Sequence, residues 1–118
     1  MSTATDTIDV ADLHAWAAGD LRMMAALQLL DASNLIAHDW IGRFIKTDPW
    51  LHFDFEAMKL GLARSPLASG EQAIAEAVLS LVGQVDIDLG GTALSLDQAN
   101  LTVLCEAIAL AGGKGGRS

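Results

Sequence analysis

The chain has no tyrosine, one cysteine and only two prolines among its 118 residues. A lone Cys105 excludes an internal disulfide and fits a reducing compartment. Scarce proline beside 52% hydrophobic residues excludes a largely disordered chain. Alanine and leucine dominate the apolar set and β-branched residues are sparse, which favours helix over strand. Bases are scarce too. Seven Lys and Arg against fifteen Asp and Glu give a formal charge of −8. Phosphates would be repelled, so direct binding to nucleic acid or to an anionic membrane is not expected, whereas a basic protein surface would be attracted. No apolar run approaches the ~20 residues of a membrane helix. Met1 to Asp9 is polar and acidic, not the basic-then-apolar pattern of a secretory leader, so a cytoplasmic protein is expected.

The charge is unevenly spread. Residues 1–20 carry four aspartates and no Lys or Arg, and residues 21–64 balance five bases against five acids. Residues 65–111 carry Glu71, Glu76, Asp86, Asp88, Asp97 and Glu106 without a single Lys or Arg. Any basic patch must draw on Arg22, Arg43, Lys46, Lys59 and Arg64.

A chain of this length corresponds to one domain and hides roughly two-thirds of its unfolded surface on folding. Residues 1–8 read as a flexible N-terminus, 9–112 as a single helical domain and 113–118 as a flexible tail. From Val10 to Asp31 a helical pattern passes through Leu13, Trp16, Ala17, Met24 and Leu27, with Gly19 in its middle, so it is one bent helix or two short ones. Ser33 or Asn34 can cap a second helix with Ala37, Trp40, Ile41, Phe44 and Ile45 inward. Asp48-Pro49 stops it and signals a third, Trp50 to Leu62, within which His52-Phe53-Asp54-Phe55 alternates like a strand. Ser69 with Gln72 fits a capping box, opening a helix with Ile74, Ala77, Val78, Leu81 and Val82 on one stripe. Val85 to Leu89 alternates strictly and Gly90-Gly91 follows, so Ala93 to Leu96 returning as a strand would give a hairpin. Ser95 with Gln98 offers another box, with Asp97 a rival cap. The last helix carries Leu101, Leu104, Cys105 and Ile108 and stops at Gly112-Gly113.

The expected fold is therefore mainly α, a compact bundle of four to five helices with a short β-hairpin between the last two. The N-terminal helix is expected to pack across the Ile74 and Leu101 stripes.

No set of residues predicts catalysis, a cofactor or a metal. Leu67-Ala68-Ser69-Gly70-Glu71-Gln72 is similar to the signature motif of ABC-type ATPases. No G-x-x-x-x-G-K-[ST] loop precedes it, however, and a helix cap accounts for Ser69 and Gln72. His14, His38 and His52 lie far apart without cysteine companions, unlike zinc ligands. Asp54, Glu56 and Lys59 lack nuclease spacing and read as a solvated face. Cys105, between Leu104 and Ile108, reads as an inert core thiol. An enzyme would require His52, Asp54 and Arg64 to converge, which nothing in the sequence predicts.

The aromatic residues are more informative. All six fall between Trp16 and Phe55, with Trp50, Phe53 and Phe55 close together and Phe44 just before the Asp48-Pro49 break. A core corner around that turn accounts for most of them. Trp50 can instead anchor an interface with Phe53 and Phe55, and Arg43 and Lys46 would form a polar rim, because tryptophan dominates binding hot spots.

Phe53-Asp54-Phe55-Glu56-Ala57, Ser69-Gly70-Glu71 and Leu96-Asp97-Gln98-Ala99-Asn100, leading into a helix that ends at Ala111-Gly112, together resemble small uncharacterised proteins of actinobacteria and their phages. The likeness covers roughly residues 50–113. It implies an accessory protein of a phage or mobile element and carries no activity with it. The expected function is a non-catalytic module that binds a protein partner. Two alternatives are an inhibitor that imitates the charge of DNA and a virion or assembly component that self-associates. A DNA mimic needs acids clustered on one face at regular spacing; Asp86 and Asp88 share one strand face and Glu71 and Glu76 lie five residues apart, so neither helix shows a carboxylate stripe. The sign of a self-associating component would be an apolar stripe left over once the core is filled.

Overall fold

Gly19 decides the first question, whether residues 10–31 form one helix or two. In the computed structural model, which describes residues 10–114, Gly19 adopts φ +94° and separates α1 (Val10–Ala17) from α2 (Leu21–Ala32). Asp20 then restarts the helix, its carboxylate accepting from the N–H groups of Arg22 and Met23, both at 3.1 Å. The remaining order is a 3-10 turn (Leu35–Ala37), α3 (Asp39–Gly42), β1 (Ile45–Lys46), β2 (His52–Phe53), α4 (Phe55–Gly61), a second 3-10 turn (Leu62–Arg64), α5 (Ser69–Leu81), α6 (Leu89–Ser95) and α7 (Gln98–Ala111). The chain is mainly helical, as expected, but has seven α-helices among the described residues rather than four or five.

Helix α2 is the hub. It packs on α7, α5 and α1, and Ala25, Ala26, Leu27, Leu29 and Leu30 are all buried. A helix covered on most sides cannot show a clean amphipathic period, and two adjacent alanines let neighbouring backbones come close. Leu13, Ile41, Met58, Ile74, Val78, Leu79 and Leu104 complete the middle of the core. The second half of the expected N-terminal helix thus makes the predicted packing, whereas α1 lies against α2 and β2.

The hairpin is not where the alternating pattern put it. Ile45 pairs with Phe53 and Lys46 with His52 in the antiparallel β1–β2 ladder, and the N–H of Asp54 donates to the Phe44 carbonyl at 2.8 Å. The expected second helix therefore ends at Gly42, and the expected third starts only at Phe55. The physical reason is burial. An extended pair turns both Phe44 and Phe53 into the core. Asp54, not Asp48, then caps α4 by accepting from the Ala57 N–H at 3.0 Å. Asp48-Pro49 is a cis peptide in the connecting loop.

Residues 85–88 run without regular structure, and 89–95 are helical. Val85 and Ile87 are half-buried while Asp86 and Asp88 are exposed, so the alternation did report a half-buried extended segment. A strand also needs a partner for its backbone, and the residues expected to supply one were taken into α6.

Helix ends follow local chemistry. At α5, Glu71 Oε1 accepts from the Ala68 N–H at 2.9 Å. Ala68 occupies the cap and has no side-chain acceptor, so only the returning half of a capping box is made, and by Glu71 rather than by Ser69 with Gln72. Asp97 wins the cap of α7 over Ser95, accepting from the Asn100 N–H at 2.8 Å. Gly83 (φ +82°) ends α5 with Gln84 N donating to Leu79 O at 2.9 Å. Only glycine takes this left-handed position without strain. Arg22 Nε donates to the Leu81 carbonyl at 2.8 Å, bringing a cation from α2 to the negative end of α5. Gly113 and Lys114 belong to the end of α7, since Lys114 N donates to Ala109 O at 2.7 Å. The rest of the expected tail and residues 1–8 lie outside the described residues. Among the described residues, no helix is long and apolar enough to cross a membrane.

Candidate functional site

The β1–β2 hairpin divides the aromatic cluster into a buried stack and one exposed ring. Trp40 meets Phe44 edge-on with ring centroids 4.8 Å apart. Phe44 faces Phe53 at 6.4 Å, and Phe53 lies 4.7 Å from Phe55. All four are buried, between 2% and 7% exposed. Phe53 and Phe55, expected at the interface, thus sit beneath the surface and support it from below. Trp50 is in the loop joining the two strands and is 64% exposed.

The loop around Trp50 is held at its base. His52 Nδ1 lies 2.7 Å from the Trp50 carbonyl. A carbonyl only accepts, so Nδ1 carries the proton. The His52 ring also lies 6.2 Å from Trp16 of α1. Lys46 Nζ pairs with Asp54 Oδ2 at 3.4 Å. The Ala57 N–H that Asp54 accepts holds its carboxyl below the usual aspartate range, against partial burial that pushes the other way, and Lys46 adds to the lowering. Arg43 is exposed. Of the five expected partner-binding residues, Trp50 and Arg43 are open to solvent, Lys46 is half-buried and Phe53 and Phe55 are internal.

The other candidates have structural roles. His14 Nε2 lies 3.9 Å from Asp31, and His38 Nε2 lies 4.0 Å from Glu71. His38 Nδ1 accepts from the Trp40 N–H at 3.1 Å, capping α3. Among the described residues no three His, Cys, Asp or Glu side chains are grouped to hold a metal. His52 and Asp54 take the partners given above, and Arg64 is exposed at the end of the second 3-10 turn. A cleft of about 320 Å³ opens at the start of α5, lined by Asn34, His38, Glu71 and Asn100 among others. Its ionisable groups are one histidine and one carboxylate, and that carboxylate is already bonded to the helix end.

Cys105 is exposed rather than core. The buried face of α7 is Leu104 and Ala107, and Ile108 is 42% exposed. This rotation away from the expected stripe leaves a second surface that sequence reasoning missed. An apolar groove of about 310 Å³ runs between α5, the segment before α6, and α7, and includes Leu81, Ile87, Leu89, Leu104 and Ile108. Leu89 is 54% exposed. The surplus of apolar residues on α7 was its only sequence signal. Comparison with protein-family models, curated proteins and solved structures gives no match.

Proposed function

We propose that this chain is a non-catalytic protein-interaction module and that Trp50 anchors its partner. The observation that carries the reading is the 64% exposure of Trp50 on a loop whose base is clamped by buried aromatic rings. A large ring presented on a rigid support loses little conformational freedom on binding, the condition under which tryptophan becomes a hot spot. Arg43 and Lys46 would form the polar rim. Phe53 and Phe55 act by holding the hairpin rather than by touching the partner. The resemblance of residues 50–113 to small actinobacterial and phage proteins supports an accessory role in a phage or mobile element.

The test is retention of a protein partner from host lysate by wild type and by Trp50→Ala, the two checked for equal thermal stability. One partner retained by wild type and lost with the substitution supports the reading. A partner retained equally by both refutes Trp50 as anchor.

A further inference from the structure

The apolar groove between α5, α6 and α7 is bordered by acidic segments of the chain. Every residue lining it falls between positions 77 and 108, inside the stretch 65–111 that contains six acids and no Lys or Arg. Asp86 and Asp88 are exposed on either side of Ile87, which lines the groove. Glu76 and Asp88 together line the adjoining cleft beside α6. Arg22 reaches the α5 end of the groove, where its Nε is bonded to the Leu81 carbonyl.

Two aliphatic side chains as open as Leu89 and Ile108, facing the same groove, leave apolar area in water that an occupant would cover. At about 310 Å³ the groove has room for a few aliphatic side chains. That is what the apolar face of one short helix presents at its i, i+3, i+4 and i+7 positions.

Charge selects the occupant. A second copy would set an equally acidic segment against this one. An anionic membrane or a fatty-acid carboxylate would be repelled in the same way. A helix with an apolar stripe flanked by Lys or Arg would satisfy both the groove and its rim. We infer that the α5–α6–α7 groove docks a basic amphipathic helix of a partner protein. The inference goes beyond the Trp50 reading and does not rest on it, being built from different residues.

The experiment is fluorescence anisotropy with three labelled synthetic peptides. The first is a helix with a leucine stripe and lysines on the polar face. The second has the same stripe with glutamates, and the third is a scrambled lysine peptide without a stripe. Each is titrated with wild type, Leu89→Ser, Ile108→Ser, the double variant Asp86→Asn/Asp88→Asn, and Trp50→Ala, every variant first checked for unchanged thermal unfolding.

The expected result is binding of the lysine-faced helix alone, weakened about tenfold or more by either serine substitution. The asparagine pair should weaken it and flatten its salt dependence, and Trp50→Ala should leave it unchanged. Equal binding of the scrambled peptide would overturn the proposal, since the groove would then play no part. So would absence of binding. A dimer by sedimentation equilibrium that Ile108→Ser dissociates would also overturn it, by assigning the groove to a second copy. Loss of binding with Trp50→Ala alone would overturn it too and move the peptide to the hairpin. Failure of the Trp50 reading shows instead in the lysate experiment.

Discussion

Replacing Phe53 and Trp50 by alanine, one at a time, separates the support of the aromatic corner from its exposed ring. Phe53 is 2% exposed and touches both Phe44 and Phe55. Truncating a buried phenylalanine costs about 3–5 kcal/mol, since the transfer loss and the cavity add. Each aromatic pair contributes about 0.5–1.5 kcal/mol of that. For a domain of about 100 residues, 1 kcal/mol corresponds to about 5 °C in melting temperature. Phe53→Ala should therefore lower it by roughly 15–25 °C. Roughly a third of the Trp50 surface is covered. At most ~90 Å² of a ring worth ~250 Å² is then hidden, an upper bound a little above ~2 kcal/mol at ~25 cal/mol/Å². Alanine keeps part of that contact and the unfolded chain is not fully exposed, so Trp50→Ala should cost less than about 1.5 kcal/mol. Thermal and urea unfolding followed by far-UV circular dichroism measures both. Equal losses would place Trp50 in the core and refute the division of the corner. A small loss for Phe53 would refute the hairpin geometry itself.

Further outcomes can be checked with the same unfolding assays and one chemical titration. Asp20→Ala should cost about 1 kcal/mol, because it removes the cap of the helix at the centre of the bundle. Asp54→Asn should show a pH-dependent deficit. The folded-state pKa of Asp54 is depressed, so its charge stabilises the fold above the unfolded value of about 3.9. That advantage over the variant should vanish as pH falls through the lower folded value, and a deficit that grows in acid would refute the assignment. Gly83→Ala should cost at least ~1 kcal/mol from the left-handed backbone alone. The added Cβ would lie 2.9 Å from Arg22 Nη2, so its effect should be less than additive with that of Arg22→Ala. Cys105 should react with a thiol reagent in the native state at one equivalent per chain, without denaturant. Protection until unfolding would return it to the core.

The sequence by itself determined the helical class, the starts of α1, α5 and α7 to within a residue or so, and the position of the break at Gly19. These are short-range effects: side-chain caps, glycine backbone freedom and the 3.6-residue period act within a few residues of where they are written. Asp97 and Ser69–Leu81 were legible for that reason, and so was the half-buried sidedness of Val85 to Asp88. Only the tertiary structure decided which extended segment found a strand partner. The Phe44 and Phe53 rings drew residues 45–46 and 52–53 together, while α6 took up the residues expected to pair with the extended segment 85–88. It also decided which side of each helix is buried. α2 is enclosed by α1, α5 and α7, whereas the inward face of α7 is set by how it lies on α2, which leaves Ile108 and Cys105 outside. The same logic split the aromatic cluster, since six rings of one chemical kind differ only in what packs over them. Both candidate surfaces, the Trp50 loop and the acidic groove, are residues that the packing left uncovered, a property of the whole bundle that no local stretch of sequence encodes.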